Sequence, residues 1–168
     1  MGSVALPKME IERRASTPED DGVLFELFCS AHQHKFSAME LPADQLEQLL
    51  RIQFEGQRRD FQQRYPDADF DLISQSGAVI GQWFVCRRPD HFLVVDITFL
   101  HGHRTGIATQ IVRDLLDEAH REGKAVRAHV EAMNPARQLW LRLGFQRVGG
   151  DEAYWALECH PPSTAAPK

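Results

Sequence analysis

Residues 93 to 131 contain a strand, a helix and a second strand in direct succession, and few folds accommodate such a unit. Leu93 to Leu100 is almost continuously apolar and β-branched, which is typical of a strand covered on both faces. From Gly106 the apolar residues recur with the period of a helix, and Gly123 is placed to end it. Ala125 to Glu131 is the next strand. An intervening helix predicts that the two strands pair in parallel through a right-handed crossover.

The chain before this unit is predicted to form a strand and two helices. Met9 to Arg14 alternates apolar and polar residues, as a strand does. Thr17 to Asp20 offers an N-cap, a proline and two acids, so a helix should follow. A second helix begins near Asp44 and ends at Tyr65-Pro66.

Short strands complete the predicted sheet. The turn pair Ser76-Gly77 lies between Phe70–Ile73 and Ala78–Val85 and predicts an antiparallel hairpin. Asn134-Pro135 opens a further helix, which Gly144 stops. The last two strands are Phe145–Val148 and Tyr154–Glu158. The prediction is an α/β domain built around a mixed sheet.

Length and charge exclude several classes of protein. A chain of 168 residues with 43% hydrophobic residues supports one core, so we expect one domain over residues 9–159 with flexible tails at 1–8 and 160–168. The net charge of -5, with acids and bases mixed, argues against nucleic acid as a partner. The absence of an apolar run of about 18 residues argues against a membrane protein. The cysteine spacing fits a reducing cytoplasm, and no histidine or cysteine spacing predicts a metal.

The turn between the central strand and its helix, His103-Arg104-Thr105-Gly106-Ile107-Ala108, is a candidate anion site. The first N–H groups of a helix have no partner within it, and the helix dipole favours a negative charge there. Gly106 allows the backbone to approach a phosphate closely. An ordinary strand-to-helix turn is the alternative interpretation.

A second candidate is the segment from Asn134 to Phe145, which combines a capped short helix with a following strand. Helix capping alone accounts for its composition. Its position is more informative, because two neighbouring parallel strands that each lead into a helix leave a crevice at their carboxyl ends. A ligand there would lie between the two motifs.

Together these motifs resemble those of the GNAT superfamily of acetyl-CoA-dependent N-acetyltransferases, over about Met9 to Glu158. The family's loop motif has Gln or Arg, two residues, Gly, one residue, and Gly or Ala, and His103 to Ala108 stands in that place. The later motif, Asn, two residues, Ala, two residues, Leu-Tyr, three residues, Gly-Phe, is similar to Asn134 to Phe145. The resemblance implies a mixed six- to seven-stranded sheet with helices on both faces, a V-shaped split between two central parallel strands, and possible homodimers.

The resemblance also implies where acetyl-CoA would bind. The pantetheine arm would meet the backbone of Ile97, Thr98 and Phe99, and Asn134 would lie near the cofactor. The pyrophosphate would sit on backbone N–H groups of the loop and helix start, which comprise Arg104, Thr105, Gly106, Ile107, Ala108 and Thr109.

Two departures from the family pattern bear on this expectation. Aligning Gly106 with the motif glycine starts the loop at His103, whereas matching the arginine by type selects Arg104 and leaves the loop one residue short. Trp140 stands where the family often has a tyrosine that protonates the departing thiolate, and an indole N–H has no useful acidity. Trp140 either packs against the pantetheine arm or is a core aromatic.

For transfer to an amine, a base must remove a proton from an ammonium group with a pKa of roughly 10. Asp96 is the first candidate because it is a carboxylate in an otherwise apolar strand, although a buried structural acid would give the same pattern. Glu131, at the end of the neighbouring strand, is the second.

The acceptor pocket in such proteins is formed mostly by the early helices, here by His32, His34, Phe54, Gln57, Arg58 and Phe61. The helical spacing of Phe54, Gln57, Arg58, Phe61 and Tyr65 also fits plain core packing. We therefore predict acetyl transfer from acetyl-CoA to a primary amine of a small molecule or protein by direct attack in a ternary complex. A catalytically silent acyl-CoA-binding module and a nucleotide-binding α/β domain are the alternatives.

Overall fold

The computed structural model describes residues 10–100 and 106–163, and its elements follow the predicted order. A short 3₁₀ turn at Pro18–Asp20 precedes the first α-helix. The helices are α1 (Asp21–Phe36), α2 (Ala43–Arg64), α3 (Ile107–Arg121) and α4 (Arg137–Arg142). The strands are β1 (Glu12–Ala15), β2 (Ala68–Gln75), β3 (Ala78–Arg87), β4 (His91–Phe99), β5 (Ala125–Glu131), β6 (Gln146–Gly150) and β7 (Tyr154–Cys159).

The strands form one seven-stranded mixed sheet in the order β1-β2-β3-β4-β5-β7-β6. The pair β4 and β5 is parallel, as the intervening helix α3 predicts, and the other neighbours in the sheet are antiparallel. The predicted mixed α/β fold and its parallel central pair are therefore confirmed.

Each face of the sheet has its own hydrophobic core. The helix α3 buries its apolar stripe, with Val112 and Ala119 fully buried, against β3, β4, β5 and β7. On the other face, Leu27 and Phe28 of α1 and Phe54 of α2 pack with Leu72 and Phe84. The functional groups on β4 are therefore divided between an α3 side and an α1–α2 side.

Local signals explain where several elements start and stop. The Thr17 N–H donates to Asp20 Oδ2 at 2.8 Å, which closes the capping box before α1. Ser76 and Gly77 have φ values of 52° and 81°, and this left-handed pair makes the tight β2–β3 turn. Several element boundaries differ from the prediction, among them those of β1 and α4. The strand β1 runs over Glu12–Ala15, and α4 begins at Arg137 because the residues before it form a turn.

Candidate functional site

The parallel strands β4 and β5 separate partway along their length. Their pairing runs from His91 opposite Ala125 to Val94 opposite Ala128 and then stops. Both strands continue, β4 to Phe99 and β5 to Glu131. The described chain therefore contains a V-shaped split at the carboxyl ends of the two strands, which is the part of an open α/β sheet where ligands bind.

Beyond the last β4–β5 pair, the end of β4 is paired with a neighbouring strand on one edge only. Ile97, Thr98 and Phe99 pair with Trp83, Gln82 and Gly81 of β3. No β5 residue pairs with them in the described chain, so their other backbone edge faces the split. At Gly81 an added Cβ would lie 2.7 Å from the Thr98 carbonyl oxygen, so glycine allows β3 to approach this wall closely.

The start of α3 presents backbone N–H groups. Gly106 has φ of 80°, a conformation that glycine adopts at no steric cost. The first helical hydrogen bond is donated by the Gln110 N–H to the Gly106 carbonyl at 3.0 Å, so the N–H groups of Ile107, Ala108 and Thr109 precede it. The Ile107 and Ala108 side chains are buried, which leaves their backbone as the group available to an anion. The predicted loop residues Arg104 and Thr105 lie outside the described residues.

Asp96 lies on the α1–α2 side of the sheet beside the split. It is opposite Phe84 in the β3 pairing, and its Oδ2 accepts hydrogen bonds from Gln82 Nε2 at 2.5 Å and Thr98 Oγ1 at 2.9 Å. Burial raises the pKa of Asp96 above its ordinary value, while the two hydrogen bonds and nearby His32 oppose the rise. The result is a carboxylate with increased affinity for a proton.

His32 of α1 is oriented by its own helix. Its Nδ1 lies 2.9 Å from the Phe28 carbonyl oxygen, and its ring stacks on Phe28 with centroids 4.2 Å apart. If the Nδ1 proton is donated to that carbonyl, Nε2 is the acceptor nitrogen. His34, which was predicted to line the same pocket, is exposed.

Glu131 ends β5 and pairs with a residue of α1. Lys35 Nζ lies 2.7 Å from Glu131 Oε1, and the side chains are 43% and 38% exposed. The C-terminal part of α1 therefore reaches across to the end of β5. Glu131 is a more solvated and already paired carboxylate than Asp96.

The second motif forms a turn and a short helix. Asn134 Oδ1 accepts the Ala136 N–H at 2.9 Å, and Asn134 lies in the turn that follows the end of β5 at Glu131. Trp140 is 4% exposed and packs edge-on to Phe145 with ring centroids 5.0 Å apart. Of the two interpretations of Trp140, this geometry favours the core aromatic.

A cleft of about 400 Å³ lies between the helices and β1–β3 on the Asp96 side of the sheet. Four of the predicted acceptor residues line it: Phe54, Gln57, Arg58 and Phe61. Gln82 and Phe84 line it as well, although sequence reasoning did not select them. Gln82 carried a usable signal, since it is a polar residue inside the apolar strand β3, as Asp96 is inside β4.

No protein-family model matches the sequence, and no curated protein matches it. Solved structures do. The PaiA N-acetyltransferase of Thermoplasma acidophilum, in complex with coenzyme A, superposes with a TM-score of 0.67 at 15% identity over 90% of this chain and 99% of that chain. The ribosomal-protein-S18-alanine N-acetyltransferase of Escherichia coli gives a TM-score of 0.64 at 15% identity, over 95% of this chain and 99% of that chain.

An acetyltransferase of the GNAT family from Listeria monocytogenes matches with a TM-score of 0.60 at 15% identity, over 94% of this chain and 98% of that chain. The chain has the GNAT fold. The superpositions establish the fold. At 15% identity they do not identify the substrate, which has to be inferred from the residues of the site. Within the described residues, no helix is long and apolar enough to cross a membrane, and no group of side chains is arranged to hold a metal ion.

Proposed function

We propose that this GNAT-fold protein transfers the acetyl group of acetyl-CoA to a primary amine by direct attack in a ternary complex. The observation that supports this most directly is the position of Asp96, a half-buried carboxylate with a raised pKa, beside the point where β4 and β5 separate. A base belongs at that point because the reacting amine must lose a proton there.

Acetyl-CoA would occupy the split. Its pantetheine arm would hydrogen-bond the unpaired backbone edge of Ile97, Thr98 and Phe99. Its pyrophosphate would bind the N–H groups of Gly106 to Thr109 together with Arg104 and Thr105. Asn134, in the turn after β5, would lie near the same ligand. Trp140 would contribute by packing behind the site, since it is buried.

Asp96 would act as the base. Both of its hydrogen bonds fall on Oδ2, so Oδ1 is the atom that would take a proton from the ammonium group, directly or through water. The thioester of acetyl-CoA supplies the acyl group and a thiolate leaving group. Backbone N–H groups at Ile97 to Phe99 would stabilise the negative charge that develops on the carbonyl oxygen. The amine nitrogen gives one proton to Asp96 and a second to the thiolate, so the products are an amide, CoA thiol and one released proton.

Incubating the protein with acetyl-CoA and a broad panel of amines, while following free thiol, tests this proposal. We expect thiol release that depends on an amine and an acetylated product of matching amount by mass spectrometry. Calorimetry with CoA runs in parallel. Tight CoA binding with no thiol release for any amine would reject catalysis.

That outcome would favour the second candidate, a silent acyl-CoA-binding module. The burial of Trp140 at the position of the family's usual tyrosine is the observation behind it. Turnover with any amine, lost in Asp96→Asn while CoA binding is retained, would reject the silent module.

A further inference from the structure

The cleft beside Asp96 is walled mainly by phenylalanine rings. Phe28 of α1, Phe54 and Phe61 of α2, Phe70 of β2 and Phe84 of β3 all line it. The rings pack on one another, with centroids 4.9 Å apart for Phe70 and Phe84 and 6.1 Å apart for Phe61 and Phe84. Such a surface gains free energy from covering apolar groups.

The acidic residues at this cleft direct their side chains elsewhere. Asp69 and Asp71 line it from β2, yet they pair with Val85 and Trp83, which belong to the α3-side core. Paired residues lie on the same face of a sheet, so both carboxylates lie on the far side. Asp69 is bound there by Arg87 at 2.9 Å.

The charged group that remains at the cleft is positive. Arg58 lines it, sits over the Phe54 ring with its guanidinium carbon 5.4 Å from the centroid, and binds Asp21 at 2.6 Å. Asp21 also accepts from Arg51 at 3.0 Å, so two guanidinium groups share one carboxylate. A second cation over the Phe54 ring would therefore lie beside the positive charge of Arg58.

The inner end of the cleft adjoins the proposed base. Gln82 lines the cleft and donates to Asp96 Oδ2, and Phe84 is the direct cross-strand neighbour of Asp96. An amine bound in the cleft would therefore have its charge partner at Asp96, next to Gln82, and an apolar surface for the rest of the molecule.

Resting on the function proposed above, we infer that the acceptor is a small primary amine whose body is an uncharged aromatic or branched aliphatic group. The volume of about 400 Å³ suits this class. A cavity of about 150 Å³ already holds a benzene molecule, which leaves room for a short linker and ring substituents. Polyamines and lysine-rich peptides are the excluded class, because their additional ammonium groups would lie among phenylalanines and next to Arg58.

Acetyl transfer to 2-phenylethylamine and 3-methylbutylamine, compared with spermidine and a lysine peptide, tests the inference. We expect kcat/KM for the first pair to exceed that for the second by about tenfold to a hundredfold, the range that one apolar pocket typically supplies. Gln57→Trp, which fills the cleft from α2, should raise KM for 2-phenylethylamine at least tenfold. The CoA affinity should stay unchanged.

Gln63→Trp is the matched control, since Gln63 is an exposed residue of the same helix that does not line the cleft. It should alter neither KM nor CoA affinity. Phe61→Leu, at a half-buried wall position, is a second variant should Gln57→Trp fail to fold. It should weaken the preference for the aromatic amine over the aliphatic one.

Binding measured without turnover separates this inference from the proposed function. Calorimetry of 2-phenylethylamine with CoA-loaded protein reports on the cleft alone. If 2-phenylethylamine binds to the native protein but not to Gln57→Trp, and no turnover occurs, the acceptor class is supported and acetyl transfer is rejected. Faster transfer to spermidine or the lysine peptide, or full activity of Gln57→Trp, would overturn the acceptor class while acetyl transfer stands. Neither binding nor turnover would overturn both.

Discussion

Replacing Asp96 by asparagine removes a base while keeping its hydrogen bonds. In the native protein Gln82 Nε2 and Thr98 Oγ1 both donate to the one oxygen Oδ2. An asparagine side-chain carbonyl can accept both bonds, so no buried donor loses its partner. The substitution therefore separates the proton affinity of the side chain from its structural contacts.

The two possible roles of Asp96 predict effects of different kind. A general base contributes about 10² to 10⁴ in rate, so kcat should fall by that factor, equivalent to about 2.7–5.4 kcal/mol of transition-state stabilisation. Stability should not fall. Burial raises the pKa of Asp96, so its contribution to folding stability is present below the ordinary carboxyl pKa and is lost as pH rises through the raised pKa. The asparagine side chain of Asp96→Asn stays neutral at every pH, so the melting temperature of the variant at neutral pH should equal or exceed that of the native protein.

Thiol release at saturating acetyl-CoA gives kcat, and thermal unfolding followed by circular dichroism gives the melting temperature. In the native protein the acidic limb of kcat/KM should lie above the ordinary aspartate pKa of about 3.9. Asp90→Asn is the matched control, because the Asp90 side chain is 74% exposed and belongs to the β3–β4 turn. It should change neither rate nor acidic limb.

Two results would refute this reasoning. Activity of Asp96→Asn within about threefold of native would leave no room for a general base at this position, given the rate contribution above. A clear fall in melting temperature would identify Asp96 as a structural acid whose charge the fold needs. Loss of both activity and CoA binding would show that the substitution had disturbed the split itself.

Three further perturbations test the surroundings of the split. Gly81→Ala places a Cβ 2.7 Å from the Thr98 carbonyl oxygen, so it should destabilise the fold by about 1–3 kcal/mol and weaken CoA binding in calorimetry. The control Gly22→Ala should do neither, because its added Cβ meets no atom within 4 Å. Trp140→Ala should lower the free energy of unfolding, measured in urea, by about 3–5 kcal/mol. The control Leu141→Ala should lower it by about 0.5 kcal/mol or less, because Leu141 is 39% exposed. Glu131→Gln should lower kcat by less than about tenfold, which is below the range for a general base, because Glu131 is 38% exposed and already paired with Lys35. A larger loss of kcat would identify Glu131 as the base in place of Asp96.

The parts of the fold that follow from local sequence were predictable. The strand β5 has its predicted bounds, Ala125 to Glu131, because its ends are marked by the helix stop at Gly123 and by the turn before Asn134. Parallel pairing with β4 followed from the helix between them. The beginning of α4 was not predictable, since Asn134 caps a turn through the Ala136 N–H and the helix begins at Arg137.

The cleft beside Asp96 shows what helical spacing leaves undecided. The spacing of Phe54, Gln57, Arg58 and Phe61 predicted a shared face of α2 but gave no indication of whether that face would meet a core or a cavity. In the structure it meets both. Phe54 is 3% exposed and joins the core, whereas Gln57 and Arg58 are half-buried at the cleft. Gln82 and Phe84 of β3 line the cleft as well, and they reach it through the pairing of the strands, which a single sequence does not show.

The position of Asp96 depends on an irregularity that strand alternation hides. Counting by twos from Phe92 and Val94, which face the α3-side core, would place Asp96 in that core as well. The β3 pairing shifts between Phe84 and Val85, so Val95 is an extra residue in β4, and from Ile97 onward the odd-numbered residues face α3. This β-bulge moves Asp96 to the α1–α2 side, where Gln82, Thr98 and His32 surround it. The same bulge lies one residue beyond the last β4–β5 pair, so one local distortion both directs the carboxylate to the side of the sheet that carries the cleft and coincides with the opening of the split.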